Sequence, residues 1–439
     1  MKFLKISKIF KVFADLKFAL VILFFIAITS SIGSIIEQDQ PLNFYQINYS
    51  LDKPIYGFLN WKVILFFGLN NVYSTWWFSL LLFILGLSLI ICSITRQFPI
   101  LKNSKEYFFK KQQKSFLQLP FSVKIKNTYF LKENILMYFR KMKFYTYQYG
   151  NLVYGFKGLI GRISPILVHL SLITILTGTF WGAFNNFKAQ EILPKGEIFH
   201  VQNLIKIGNT TEIPEITARV NDFWVEYKND RIYQFYSDLS LLNSSGNELK
   251  HQPISVNNPL RYKSLDFYQS DWNLLGVRLQ DKTTNTIYEI PLFQLKNANK
   301  SWVTWVTSND EKIETIVLDQ LQNKFTLYDA AGAFLKNSIL GDDITSNLKL
   351  IDIIPATGLQ IKYDPSIPII YLGFGLLMIT ALLSFLPYTQ IWLFEDETNT
   401  WIGSNTNRGK ISLEIEFENL IRLIEKKVAK TIFSNNFKS

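Results

Sequence analysis

The run from Ile163 to Phe187, ISPILVHLSLITILTGTFWGAFNNF, contains no charged side chain between Arg162 and Lys188. Crossing the hydrocarbon core of a bilayer takes about 20 predominantly apolar residues in helical form. The run is therefore expected to be a membrane helix, and it constrains everything around it. It also carries an imidazole, His169, in its first half. At ~1.5 Å rise per residue, His169 lies on the order of 10 Å from Arg162, too deep to be a headgroup residue. An ionisable group at such depth is a functional hypothesis in itself, with a proton, metal, haem or polar partner expected beside it. Leu172, Ile173 and Leu176 share its face, whereas Gly178 and Gly182, a G-x-x-x-G pair, point largely elsewhere. A packing seam and a histidine face are thus expected to meet different neighbours. Pro165 is expected in the first turn, where its missing N–H is harmless.

Three further uncharged runs extend the pattern. Phe18–Ile36 follows the basic stretch MKFLKISKIFKVFADLK; it is too long for a signal-peptide core and has no small-residue cleavage site, so it reads as a retained first span, inserted from the compartment of synthesis. Its Ser30, Ser31, Gly33 and Ser34 form a small-residue patch suited to close contact. Trp76–Ile94 is the second span, opened by paired indoles that suit the headgroup boundary and closed by Arg96. In Pro365–Phe394 the membrane part is expected over about 368–386, with Pro387 helping to end it.

Charge supplies orientation. The net +11 is uneven: residues 1–17 hold five Lys against one Asp, 37–74 two against three acids, 96–162 fourteen Lys/Arg against two, 188–364 eighteen against twenty-two, and 395–439 seven against seven. Lys/Arg excess marks the side that is not translocated. Both termini are expected on that basic side, with 37–75 and 188–364 opposite. A nucleic-acid-binding face would instead gather its cations on one solvent surface, so nucleic acid is excluded as a partner and the lipid bilayer expected. The single cysteine, Cys92, permits no intrachain disulfide, no CxxC pair and no CxxCH haem-attachment site. The chain is not itself a c-type cytochrome, and Cys92 reads as a packed, inert thiol. Nucleotide-binding glycine loops, HExxH, GxSxG and convincing carboxylate pairs are all missing from the sequence, which argues against hydrolysis.

The segments between the spans have periods of their own. In 96–162, Phe121–Lys126 alternates, 129–142 is helix-like, and 144–156 resembles a hairpin around Tyr149-Gly150-Asn151. Within 188–364, alternation over 218–228, 234–242, 276–279 and 285–292 predicts an antiparallel β domain. His200 and His251 lie there on polar stretches and read as surface histidines. After the last span, Gln390–Phe394 and Trp401–Gly403 flank a turn, and 411–432 is an amphipathic helix candidate. The expected fold class is an integral membrane α-helical protein with four transmembrane helices, a large antiparallel β-rich translocated domain and a small α+β module on the basic side. Its divisions are a tail 1–17, spans 18–36, 76–95, 163–187 and 365–387, loop 37–75, basic segment 96–162, β domain 188–364, and a C-terminal segment 388–439 packing with 96–162.

Three phrases, ADLKFALVILFFIAITSSIGSIIEQDQPLNFYQINY, GRISPILVHLSLITILTGTFWGAF and NNPLRYKSLDFYQSDW, occur in this order along the chain. They resemble the ResB family of cytochrome c biogenesis proteins, in the form encoded in algal plastid genomes. The resemblance implies a role in attaching haem to apocytochromes c, cytochrome f being one example, on the translocated side of the thylakoid membrane, with the β domain in the lumen and both termini stromal. A cyanobacterial thylakoid would give the same picture. It further implies a tryptophan-rich membrane partner, CcsA, which carries the haem-presenting motif and with it most of the ligation chemistry.

The family's membrane histidine falls on His169, making it a candidate axial ligand of transiently held haem; no other metal is expected. A neutral imidazole can ligate haem iron, and Arg162 or Lys188 could meet the propionates, although snorkelling to headgroups is the commoner duty of such residues. Asn258, Pro259, Tyr268 and Gln269 lie in the third phrase and are candidates for contact with the partner or apocytochrome, against the plainer reading of a turn and a packed strand. Two other functions stay open: a scaffold whose β domain chaperones apocytochrome while His169 satisfies a helix–helix hydrogen bond, and a proton-coupled or solute transporter using His169 as a relay, for which other intramembrane charges are lacking.

Overall fold

In the computed structural model, three helices among the described residues are long and apolar enough to cross a membrane: Leu16–Ile35, Trp76–Gln97 and Leu159–Asn185. Residues 8–99, 108–127, 131–229, 231–295, 300–307, 313–319, 321 and 324–436 are described. The chain divides into two units, residues 1–179 with 368–439, and residues 180–367.

The first helix starts where the Asp15 carboxylate accepts the Lys17 N–H at 3.1 Å, and the second where the Thr75 hydroxyl accepts the Phe78 N–H at 3.3 Å. The third begins at Leu159, ahead of its expected start at Ile163. Its beginning is set by Gly158, left-handed at φ +76, rather than by the last charge, Arg162. Pro165 consequently lies more than a turn inside the helix, which corrects its expected place in the first turn.

Ile22, Leu85 and Leu89 are buried together, with Leu172, Ile173 and Leu176 packed on them, so the histidine face of the third helix meets the first two. The glycine seam meets another neighbour. A Cβ on Gly178 would come 2.8 Å from Ile370 Cγ1, and one on Gly373 would come 2.6 Å from Ile175 Cγ1. Both lie between the third helix and Ile367–Leu383, an apolar helix of 17 residues, shorter than the other three.

Between the first two long helices run Leu42–Asn48, Trp61–Phe67 and the 3-10 turn Leu69–Ser74, around a core of Ile36, Tyr45, Tyr49 and Ile64. Gln38 clamps this loop, accepting the Val72 N–H at 2.9 Å and donating to the Leu69 carbonyl at 3.0 Å. The small-residue patch of the first helix receives a loop side chain rather than a helix: Tyr73 donates to the Ser30 carbonyl at 3.2 Å, and a Cβ on Gly33 would come 3.2 Å from its ring. The Tyr49 hydroxyl donates to Glu37 at 2.9 Å. Burial first, then the Glu37 carboxylate, push it up to about 12.

One five-stranded antiparallel sheet joins distant parts of the chain, in the order Phe121–Lys126, Asn399–Thr406, Thr389–Glu395, Leu152–Lys157 and Tyr145–Tyr149. On one face, Ile135 and Phe139 of Leu131–Lys141 and Phe417, Leu420 and Ile424 of Lys410–Asn436 cover Val153, Ile391, Leu393 and Ile402. On the other, Phe116, Tyr154, Tyr388, Trp392 and Trp401 form a second cluster.

The unit of residues 180–367 is antiparallel β throughout its three sheets. A six-stranded sheet contains the long pair Leu265–Asp281 and Leu348–Tyr363, flanked by Phe187–Pro194. A four-stranded sheet contains Thr217–Lys228, Arg231–Leu242 and Glu248–Ser255, and a five-stranded sheet runs from Phe293–Gln294 to Phe334–Ile339. Two cores result. Phe187, Leu239, Ile254, Phe267 and Leu359 fill one; Leu274, Val277, Trp302, Ile316, Phe325 and Leu350 fill the other. Both draw on the same long pair, whose register shifts between Gln269 and Asp271, between Leu274 and Gly276, and between Arg278 and Leu279. The first of these bulges moves the buried phase, with Leu265, Phe267 and Gln269 inward before it and Leu274 after.

Three outcomes test this architecture. Lys157 and Glu416 lie 2.6 Å apart, so carbodiimide should join them in a zero-length cross-link, seen as one linked peptide pair by mass spectrometry. A Cβ on Gly161 would come 1.9 Å from the Leu386 carbonyl oxygen, whereas one on Gly375 meets nothing within 4 Å. Gly161→Ala should therefore cost about 1–3 kcal/mol, read as a lowered unfolding midpoint in detergent, with Gly375→Ala unchanged. The Tyr49 hydroxyl is raised on folding, so its contribution is fully present below its ordinary value of about 10 and is lost as pH rises to about 12; Tyr49→Phe should flatten the stability profile across that window.

Candidate functional site

His169 stands on the third helix among side chains of the second. The second helix changes hydrogen bonding at Ser93–Gln97, a π turn in which the Phe98 N–H bonds to the Ser93 carbonyl. Such single turns inside α-helices are frequent at functional sites. The turn presents Ser93 and Gln97 to the imidazole, the Ser93 hydroxyl 3.1 Å from Nδ1 and the Gln97 amide nitrogen 3.1 Å from Nε2. Ser93 also donates to the Leu89 carbonyl at 2.8 Å.

These contacts define a tautomer. The amide nitrogen has only protons to offer, so Nε2 accepts; Nδ1 then carries the ring proton and donates to Ser93, whose own proton goes to Leu89. Gln97 Oε1 is buried with no hydrogen-bond partner. Turning the amide over would put an NH2 group in that place, leaving donors rather than an acceptor unsatisfied. In this arrangement the imidazole is held at both nitrogens and turned toward a sibling helix.

Arg162 precedes His169 by seven residues, close to the same helix face and ~10 Å along the axis. Its guanidinium lies 4.6 Å from the centre of the Tyr388 ring. With Lys110 and Lys111 it lines a cleft of about 620 Å³, walled by Phe108, Phe109 and Trp392. Lys110 sits 5.1 Å from the Trp392 ring centre. Among the described residues no carboxylate pairs with these three cations. Lys188 belongs to the other unit, in Phe187–Pro194, opposite Lys362.

The four residues of the third sequence phrase have separate fates. Asn258 is exposed at the turn after Ser255, and Pro259 is half-buried. Tyr268 is half-buried beneath Lys362, with its hydroxyl donating to Asp266 at 3.1 Å. Gln269 is only 6% exposed: its Oε1 accepts from Ser237 and from Thr357, the latter at 2.8 Å, and its Nε2 donates to the Asp271 carbonyl at 2.7 Å. That side chain is held inside the sheet by these three bonds. His200 is exposed, and His251 bonds Asp238 at 2.7 Å. Cys92 is a free thiol. Among the described residues no group of three or more His, Cys, Asp or Glu side chains gathers as a metal site.

Sequence reasoning missed Gln97, because the second span was taken to end at Ile94, and missed Ser93 although it lies inside that span. The available signal was the requirement for polar partners that His169 itself imposes.

Apolar helices long enough to cross a membrane, a half-buried imidazole bonded at both nitrogens between two of them, and an antiparallel β unit inserted in the chain between the third and the last apolar helices define a membrane protein with a large β-rich domain. The chain belongs to the ResB-like family, whose model matches residues 16–327 and 294–418. It is 46% identical over 422 residues to the cytochrome c biogenesis protein Ccs1 of Trieres chinensis, covering 95% of this chain and all of the relative. Ccs1 of Porphyra purpurea is 42% identical, with 92% of this chain and 94% of the relative covered. The cytochrome c biogenesis protein CcsB of Crocosphaera subtropica is 40% identical, with 95% and 94% covered.

Structural and contact roles at the third phrase separate by mutation. Gln269→Ala leaves the Ser237 and Thr357 hydroxyls only each other, at 2.7 Å, and strands one buried proton, so it should lower the unfolding midpoint by the equivalent of about 1–3 kcal/mol; Asn258→Ala should leave it unchanged, both read by differential scanning fluorimetry.

Proposed function

We propose that this chain is an accessory membrane subunit of a cytochrome c haem-attachment complex of the system II type, acting where haem is delivered or attached. The partner in this reading is a tryptophan-rich membrane protein of the CcsA type, which carries most of the ligation chemistry, and the clients are apocytochromes c such as that of cytochrome f. The near full-length similarity to Ccs1 and CcsB proteins supports the process. His169 carries the molecular role.

The residues fit an axial ligand in their chemistry. The ring is neutral, its Nδ1–H is tied through Ser93 to Leu89, and its Nε2 lone pair faces a neutral amide rather than an ion. Tying one ring nitrogen to a hydrogen-bond partner is how metal-ligating histidines are oriented. Haem, when held, supplies the vinyl groups to which CxxCH thiols become joined. Of this chain's own residues, Ser93 fixes the tautomer, His169 offers Nε2, and Arg162 with Lys110 and Lys111 provides positive charge for carboxylates. The apolar helices keep water from the site.

The same reading includes four membrane crossings, with Ile367–Leu383 as the short fourth helix, anchored by its backbone-close contact with the third. Both termini and the shared five-stranded sheet then lie on the stromal side of the thylakoid membrane, and residues 188–364 in the lumen. The fourteen cations of 96–162 support that orientation.

A second reading is a scaffold or apocytochrome chaperone in which His169 only joins two helices, favoured by the hydrogen bonds on both of its nitrogens. Purification of the chain with its partner separates the two. His169→Ala should remove the Soret band contributed by this chain and lower c-type cytochrome accumulation at least tenfold. Unchanged haem content and unchanged maturation would leave the scaffold in place of the first reading.

A further inference from the structure

We infer that Gln97 is a displaceable cap on the iron-binding side of His169, holding the ring ready while the site waits for a porphyrin. This rests on the haem-holding role of His169 and adds how that site is kept closed and how it opens.

The two ring nitrogens are held by different means. Nδ1 is anchored in a relay that ends on a main-chain carbonyl, from Ser93 at 3.1 Å to Leu89 at 2.8 Å. Nε2 meets only the tip of a flexible side chain, the Gln97 amide at 3.1 Å. The cap is also poorly satisfied, since its Oε1 is buried without a partner. A buried polar atom left unpaired costs free energy that withdrawal of the side chain recovers. Withdrawal exposes the one lone pair a metal ion needs and leaves the Ser93 relay untouched.

The backbone beneath Gln97 provides a way to move it. The π turn over Ser93–Gln97 holds an extra residue relative to an α-helical turn. Shifting that extra residue past position 97 rotates the side chain by on the order of 100°, one residue's turn of an α-helix. Arg96, beside it, is exposed and makes no ion pair among the described residues.

The test uses the full-length chain in nanodiscs, titrated with hemin and followed by absorbance, alongside acylation of His169 by diethyl pyrocarbonate in haem-free protein, quantified by mass spectrometry apart from His200 and His251. Gln97→Leu removes the competing hydrogen bond and should tighten hemin binding about 3- to 10-fold and speed His169 acylation by a similar factor. Gln97→Asn, which keeps the amide but loses reach, should behave likewise and guards against a folding defect of the leucine variant. Ser93→Ala should weaken hemin binding, because the ring loses its anchor. Unchanged affinity and acylation in both Gln97 variants, with binding still abolished by His169→Ala, would overturn the cap and leave the haem role standing. Hemin binding indifferent to His169→Ala would overturn both.

Discussion

Hydrogen bonding around one half-buried imidazole sets the height of the second helix against the third. The apolar contacts between them, Leu85 and Leu89 against Leu172, Ile173 and Leu176, are many but undirected. In a lipid environment such contacts have no hydrophobic drive behind them, and small steps of sliding change them little. The bonds of Ser93 to His169 and to Leu89 cannot both be kept on such sliding. They select one axial register and place Arg162, on the same helix, at the aromatic cluster of the five-stranded sheet, over Tyr388. Polar specificity at the hairpin therefore governs the geometry of the cationic cleft outside it.

The β unit solves a different problem, that of making one body from two cores. Its solution is the bulged pair Leu265–Asp281 and Leu348–Tyr363, which contributes residues to both. Where the cores adjoin, aromatic rings follow one another: Phe223 and Phe235 at 6.5 Å, Phe235 and Trp272 at 6.0 Å, Trp272 and Trp302 at 5.0 Å. The Trp302 indole N–H is satisfied by Asn273 at 2.6 Å, and Lys300 bonds Asp271 at 2.6 Å while lying 4.5 Å from the Trp272 ring centre. The hydroxyls and amide of Ser237, Gln269 and Thr357 tie strands of two sheets at the neighbouring bulge. Residues that look like a recognition motif in sequence are, in Gln269, part of this fastening.

The sequence showed the long helices and the strands Thr217–Lys228 and Arg231–Leu242, because an uncharged run and a clean alternation each report on a single element. It showed His169 because a lone imidazole in an apolar run is chemically conspicuous. Ser93 and Gln97 were invisible by the same logic, since which residue of one helix faces which of another is written in neither periodicity. Only 276–279 of the strand Leu265–Asp281 was recognised, as its bulges shift the inward phase and erase alternation. The start of the third helix was misread because charge was taken as the boundary, where the chain uses the left-handed Gly158. Part of the expected 129–142 helix lies outside the described residues; Leu131–Lys141 is helical as its apolar spacing required.

The sheet shared by the middle and the end of the chain has a consequence for synthesis. Phe121–Lys126 pairs with Asn399–Thr406, and Leu152–Lys157 pairs with Thr389–Glu395. While the ribosome is still making the intervening β unit, the earlier strands present open edges and an uncovered apolar face, and closure waits for a contact far away along the chain. Residues 389–406 thus act as a completion signal: a product cut short before residue 389 would keep its long apolar helices yet leave that sheet unfinished and prone to stick to others like itself.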